Sequence, residues 1–161
     1  MMARLPVPLL LAGAAITAVA GSARAADGTD GAKIYAEHCA ACHDAAGGGV
    51  TGFGPALAGP AAARVKVPGG REYVAQVVVN GITGSFESGG RRHVGVMPSF
   101  ASLPDADVAA ALNQVLQVFN AAALPDDFKP LAAAEIAAAR TPPRSPRDLN
   151  RTKEALERAA Q

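Results

Sequence analysis

The chain has 161 residues and a formal net charge of +1, and half of its residues are hydrophobic. This length fits one domain with appendages. So small a net charge implies no polyanionic partner, and the sequence has no basic stripe with interleaved aromatics, so we expect no nucleic-acid partner. Aromatic residues make up only 4% and tryptophan is absent, so the predicted core is thin for its size.

Residues 1–25 have the pattern of an export signal. Arg4 gives a positive start, Leu9–Ala20 is uncharged and apolar, and Ala23 and Ala25 are the small residues that a signal peptidase requires. We therefore predict cleavage after Ala25 and entry of the mature chain into an oxidising compartment. An uncleaved membrane anchor over Leu5–Gly21 is the weaker alternative, because this stretch lies at the lower limit for spanning a bilayer.

A helix is predicted immediately before the two cysteines. Gly31 and Tyr35 share one helical face, with Ile34 beside them. The candidates for its N-cap are Asp27, Thr29 and Asp30.

Cys39 and Cys42 are the only cysteines, and His43 follows the second one directly. This Cys-X-X-Cys-His pattern is the attachment signature of c-type haem, in which each thiol adds to a vinyl group and the histidine binds the iron. Attachment takes place outside the cytoplasm, in agreement with the export signal. We expect one covalent haem c, with His43 Nε2 as an axial ligand of the iron.

Two other kinds of site use the same residue types. A thioredoxin-like redox pair follows a strand in a βαβ unit, whereas the flanks here are helical and His43 would have no role. A structural zinc needs four ligands, and the sequence offers three in a cramped arc with no second cluster. The pattern therefore favours haem over both.

The next segment contains a glycine run and a helix. Gly47–Gly49 lacks the Gly-Lys-Ser/Thr of a phosphate-binding loop, and we interpret it as a flexible loop. Glu72–Asn80 is predicted to form a short helix that ends at Gly81. The valines expected to face inward are Val74, Val77 and Val78.

Met97 is the candidate for the sixth ligand of the iron. Met1 and Met2 leave with the signal, so this methionine alone remains, in a Gly/Pro-rich loop stiffened by Pro98. Its thioether is a soft ligand that favours reduced iron and raises the potential. With both axial positions filled, the iron changes charge without binding a substrate.

Two further histidines are weaker candidates for ligands. His93 lies beside Arg91 and Arg92, and we expect it to face water. His38 is expected to be a solvated helix residue. Residues 87–95 are predicted to form a turn or short hairpin whose arginines are solvated, with a contact to a haem propionate or an acidic partner as the alternative.

In this order the segments resemble class I cytochrome c over about residues 28–120. The matching stretches are GAKIYAEHCAACH, GFGPAL, EYVAQVVVNGITG and GVMPSFASLPDADVAAALNQVL. The resemblance implies an all-α fold wrapped around one haem. It also assigns to Pro55, in GFGPAL, the carbonyl that accepts a hydrogen bond from the proximal histidine.

The resemblance further implies that the first and last helices of the domain cross, with Gly31 and Tyr35 against Leu116 and Phe119. The last helix is predicted over Pro104–Phe119. Its apolar stripe at helical spacing consists of Val108, Leu112, Val115, Leu116 and Phe119.

We divide the chain into an export signal (1–25), a cytochrome c domain (26–122) and a C-terminal extension (123–161). The extension is predicted to hold a proline-marked linker, a short helix over 131–140 and a polar helix that begins at Ser145 and Pro146. Similar tails occur on some bacterial periplasmic cytochromes c that serve dehydrogenases. A packed or partner-facing tail and a partly disordered one both stay open.

The resemblance implies a periplasmic one-electron carrier, and not an enzyme. Its redox partners would be a periplasmic dehydrogenase or reductase and a terminal oxidase or another cytochrome, with membrane contact only if the signal is uncleaved. Two alternatives remain. In the first, the chain would be a haem subunit of a stable dehydrogenase or reductase complex. In the second, it would bind a small ligand such as nitric oxide or carbon monoxide at the iron, with Met97 absent from the sixth position or only weakly bound there.

Overall fold

A computed structural model describes residues 29–88 and 91–159, with backbone only for residues 86–88. The predicted export signal and the cap candidate Asp27 lie outside the described residues. The helices are α1 (Gly31–His38), α2 (Ala40–His43), α3 (Pro60–Val65), α4 (Gly70–Asn80), α5 (Asp105–Asn113), α6 (Ala133–Ala139) and α7 (Pro146–Ala159). The strands are β1 (Ile82–Ser88) and β2 (Arg91–Met97).

The first helix begins where the sequence offers a cap. The Asp30 carboxylate Oδ1 accepts hydrogen bonds from the backbone N–H groups of Ala32 (3.0 Å) and Lys33 (3.3 Å), which satisfies two of the donors that the start of a helix leaves open. Asp30 is therefore the cap among the candidates.

Helix α1 packs closely on α5. A Cβ at Gly31 would lie 2.3 Å from the carbonyl oxygen of Ala110, so only glycine permits this crossing. Further along, the rings of Tyr35 and Phe119 meet edge to face with centroids 5.0 Å apart. The predicted crossing of the two helices is confirmed, with Ala110 as the nearest neighbour of Gly31.

The predicted last helix over Pro104–Phe119 is confirmed in its position and changed in its form. It is α-helical over Asp105–Asn113 and continues as a π-helical turn over Gln114–Val118. Val108, Val115 and Leu116 of its stripe are buried.

The hairpin corrects the all-α expectation, since the described part is mostly helical but includes a small antiparallel sheet. Strands β1 and β2 pair in a register that sets Ile82 opposite Met97 and Ser88 opposite Arg91. The segment has no helical periodicity, and its β-branched residues and glycines favour a strand over a helix. Met97 therefore ends a strand and does not lie in a loop.

Helix α4 is confirmed and is longer than predicted, beginning at Gly70 and ending at Asn80. Gly81 follows as a glycine C-cap with a φ of 74°. Tyr73, Ala75 and Val79 are buried. The valines predicted to face inward are only half-buried, and they line a cavity. The helix thus has one face on the core and another on this cavity.

The extension packs on the domain wherever it is described. Leu131 and Ile136 join a core cluster with Tyr35 and Val108. The residues of the second cluster are Tyr73, Ile82, Leu149 and Leu156. Both predicted helices of the extension are confirmed, and of the two possibilities left open the structure shows a packed tail.

Ion pairs fasten the extension to the domain. Arg71 on α4 pairs with Glu135 on α6, with its Nη2 2.9 Å from Oε2. Arg140, at the end of α6, pairs with Asp105 at the start of α5, with Nε 2.6 Å from Oδ1.

Candidate functional site

The cysteine segment forms a tight continuation of α1. The N–H of Cys39 bonds to the carbonyl of Tyr35 (2.9 Å), and the N–H of His43 bonds to the carbonyl of Cys39 (3.0 Å). Both thiols are free, with Cys39 half-buried and Cys42 exposed. Burial, and after it the neighbouring Cys42, raises the pKa of the Cys39 thiol to about 11.

The chain reverses directly after His43. Asp44 adopts a φ of 66°, and its carboxylate Oδ2 accepts hydrogen bonds from the N–H groups of Ala46 (3.2 Å) and Gly48 (3.3 Å). Its carbonyl accepts the hydroxyl of Tyr35 at 2.7 Å. These bonds fix the backbone next to the histidine.

His43 is buried, and its ring is held by one hydrogen bond. Nδ1 lies 2.8 Å from the carbonyl oxygen of Pro55. Because a carbonyl can only accept, Nδ1 carries the proton and Nε2 keeps its lone pair. Burial lowers the pKa of His43, opposed by the bond to Pro55 and aided by the charge of His93. The imidazole is therefore neutral, which is the form that binds a metal.

The loop that carries Pro55 approaches the cysteine segment through a glycine. A Cβ at Gly54 would lie 2.5 Å from the carbonyl oxygen of Cys42. Gly47, predicted as part of a flexible loop, is buried, and a Cβ there would lie 2.7 Å from the ring of Phe119. Both glycines permit close approach, which brings the Pro55 carbonyl to the histidine.

Met97 is placed by its contacts with the end of α4. It pairs with Ile82 across the hairpin and packs on the second core cluster. The hydroxyl of Ser99 donates to the carbonyl of Val79 at 2.6 Å. A Cβ at Gly81 would lie 2.7 Å from the carbonyl oxygen of Met97. The backbone from which the Met97 side chain extends is therefore held in place at the wall of the cavity.

One cavity of about 270 Å³ brings the predicted residues together. Cys39, Cys42, His43, Pro55 and Met97 all line it. Most of the remaining lining is apolar, from α4, the hairpin and α5.

Sequence comparison places this chain in a family. The profile of the family described as "Cytochrome C oxidase, cbb3-type, subunit III" matches residues 26–113. A cytochrome c-552 of Thermus thermophilus is 44% identical over 107 residues, which span 66% of this chain and 81% of that protein. A second cytochrome c-552 of Thermus thermophilus is also 44% identical over 107 residues, spanning 66% of this chain and 72% of that protein.

This chain is a monohaem class I c-type cytochrome. Family membership implies covalently bound haem c and a role in electron transfer.

The residues of the cavity fit that cofactor. The two free thiols stand beside a neutral imidazole whose Nε2 lone pair is available, and a thioether lies on the same cavity. Three apolar side chains on the lining are largely exposed: Phe53 (76%), Val94 (73%) and Val96 (70%). They offer an apolar contact surface to a porphyrin. Cys39 and Cys42 would tether the group, and His43 and Met97 would ligate its iron.

Within residues 29–88 and 91–159, no three His, Cys, Asp or Glu side chains come together to hold a metal ion. Across the same residues, no helix combines the length and apolar character required to cross a membrane.

The structure changes the expectation for His93. Its side chain is half-buried and lines the cavity. His93 and Met97 share one face of β2, because residues an even number of positions apart on a strand point the same way. His38 is exposed at the end of α1, as predicted, and its ring meets that of Phe100 edge to face with centroids 6.2 Å apart. The partial burial of His93 depends on the register of the hairpin, which sequence reasoning did not supply.

Proposed function

We propose that this cytochrome is a one-electron carrier of the periplasm whose haem iron is ligated by His43 and Met97. The observation that carries the proposal is the convergence of both side chains, with Cys39 and Cys42, on one apolar cavity. When bound, the haem supplies an iron that gains and loses single electrons.

The residues around the cavity set the conditions for that exchange. The Pro55 carbonyl orients the His43 ring and makes it a more basic ligand. The Met97 thioether favours the reduced iron, and the apolar wall disfavours the more charged oxidised site. With both axial positions filled, no position is open to a substrate, and this favours a carrier over an oxygen-activating enzyme.

Met97 and His93 compete for the sixth position. They are four positions apart on one strand, about 13 Å at the rise of an extended chain, so the iron can take one of them and not the other. The contacts of the Met97 segment with α4 support Met97, because its backbone is fixed on both sides.

The surface near the cysteines supports a route for electrons. Cys42 is exposed, and Phe53 on the same cavity is 76% exposed. A haem tethered there would present its edge to a redox partner, a periplasmic dehydrogenase or reductase as donor and a terminal oxidase or another cytochrome as acceptor. A small interface suits such a transient contact.

The periplasmic location rests on the sequence of residues 1–25 and on the haem attachment motif. Intact-mass spectrometry of protein matured in its native compartment tests both parts. We expect the mass of a chain that begins at Ala26 plus one haem. A chain that retains residues 1–25 would contradict the cleavage, and a chain without added haem would contradict the tether.

The axial ligands are tested by a matched pair of variants, Met97→Ala and His93→Ala. We expect Met97→Ala to lose the far-red absorption band of a methionine–ferric bond, to bind carbon monoxide when reduced, and to have a lower midpoint potential. His93→Ala should keep the band and bind no carbon monoxide. Absence of the band from the wild type, with carbon monoxide binding by His93→Ala and not by Met97→Ala, would assign the sixth position to His93. Carbon monoxide binding by the wild type would favour the ligand-binding alternative.

A second candidate is a haem subunit of a stable oxidoreductase complex. The observation that favours this candidate is the matching family profile, which is described as a subunit of an oxidase. Purification from native membranes and periplasm separates the two functions. Recovery as a monomer in the periplasm supports the carrier, and recovery with other subunits at a fixed ratio supports the complex.

A further inference from the structure

A charged cluster lies on the part of the cavity wall formed by α3, α4 and α7. Lys153 is only 6% exposed, and it lines the cavity with Arg64 and Tyr73. Lysine is almost never this buried unless a negative charge compensates it. Neither the tether nor the axial ligands account for a buried lysine at this wall.

Glu157 connects the two cations. Its Oε1 lies 2.6 Å from the Nζ of Lys153 and 3.8 Å from the Nη2 of Arg64. The side chain of Glu157 is 41% exposed, and Glu157 does not line the cavity. One carboxylate oxygen on the solvent side therefore holds both cations in place at the wall.

Tyr73 adds a neutral donor to the cluster. It is 5% exposed, and burial raises its pKa to about 12, with Arg64 lowering the pKa and Glu157 raising it. Its phenol thus stays protonated beside the two cations. Two cations and a hydroxyl at one wall are the groups that bind a carboxylate.

The tether determines which edge of the haem reaches this wall. The vinyl groups and the propionates lie on opposite edges of the porphyrin. Cys39 packs against the first core cluster, whereas Tyr73 belongs to the second, and residues of both line the cavity. A haem bound through its vinyl edge at Cys39 and Cys42 therefore directs its propionates toward the second cluster.

We propose that Lys153, Arg64 and Tyr73 form the binding site for the haem propionates, so that the C-terminal helix α7 supplies part of the haem site. Of the two arginines considered from sequence, Arg91 is exposed and does not line the cavity. Arg92 lines the cavity, but it is exposed on the hairpin and its Nε is bonded to Ser85 Oγ at 2.8 Å, so we assign the propionates to the buried cluster. The proposal goes beyond the axial ligation. It requires that a haem is attached at Cys39 and Cys42, and it does not depend on which residue is the sixth ligand.

The test uses the ferrous holoprotein, which is diamagnetic, and NMR. We expect nuclear Overhauser contacts between the side-chain protons of Lys153 and the propionate methylene protons of the haem. We also expect Lys153→Met to lower the midpoint potential, because loss of a nearby cation favours the ferric state. Lys153→Arg should restore most of the wild-type potential, since it keeps the charge.

A matched control comes from α1, where Lys33 pairs with Glu37 at the same helical spacing but is 68% exposed and off the cavity. Lys33→Met should leave the potential unchanged. The proposal is overturned if the Overhauser contacts are absent and Lys153→Met leaves the potential unchanged, or if Lys33→Met shifts it equally. Should Lys153→Met fail to fold, the contacts in the wild type decide alone. The far-red band, recorded on the same samples, reports the axial ligands separately.

Discussion

Replacement of Asn120 tests how the loop that carries Pro55 is attached to the domain. Asn120 is 3% exposed. Its Oδ1 accepts the N–H of Gly59 at 2.6 Å, and its Nδ2 donates to the carbonyls of Leu57 (3.1 Å) and Val115 (2.8 Å). One amide thus joins the loop after Pro55 to the end of the last helix of the domain.

The expected loss of stability follows from these bonds. A hydrogen bond contributes about 1 kcal/mol net, and a buried group left without a partner costs about 1–3 kcal/mol. Asn120→Ala removes all three bonds, and the Val115 carbonyl is buried from water. We therefore expect the free energy of unfolding to fall by about 3 kcal/mol.

The assay is denaturant unfolding of the ferric holoprotein, followed by far-ultraviolet circular dichroism and by haem absorption. Asn150→Ala is the control, because its Nδ2 makes one exposed bond, to the carbonyl of Thr83 at 3.0 Å. Removing this one bond should lower the free energy of unfolding by at most about 1 kcal/mol. If Asn120→Ala costs no more than Asn150→Ala, the amide does not hold the loop and the reasoning is wrong.

Two further predictions concern helix packing and pH. Gly31→Ala should lower the free energy of unfolding by about 1–3 kcal/mol, since its Cβ would press on the Ala110 carbonyl; an unchanged midpoint of denaturation would show that α1 and α5 can separate freely. The hydrogen bond from Arg71 lowers the pKa of Glu135 from its usual 4.5. The stability that this pair contributes is therefore present above pH 4.5 and is lost as pH falls through the lowered value. Because both side chains are partly exposed, that contribution is at most about 1 kcal/mol. The difference in unfolding free energy between wild type and Glu135→Gln should shrink in acid, and a constant difference would contradict this.

Local features of the site were predictable from sequence. The Cys39–His43 segment is contiguous, so its haem-attachment motif can be recognised without knowledge of the fold. The helices α1, α4 and α7 carry their own caps and periodicity, and these signals act over a few residues. The glycine end of α4 at Gly81 was predictable from local backbone hydrogen bonding. So was a cap at the start of α1, although the choice of Asp30 among the three candidates came from the structure.

The features that sequence could not supply depend on tertiary contacts. The direction of His93 follows from the hairpin register, which a one-residue shift would reverse. Lys153 lies on a helix whose sequence is polar, and its burial results from docking of α7 on α4 and β1. The need for glycine at position 54 arises only where its loop meets Cys42.

The placement of α7 has a consequence for the order in which this molecule is built. The cysteines belong to the first helical segment, whereas Lys153 comes from the last, so attachment of the porphyrin does not require the far side of the proposed binding site to be in place. A premature stop ahead of Pro146 would therefore yield a pigmented product whose prosthetic group has lost one side of its enclosure.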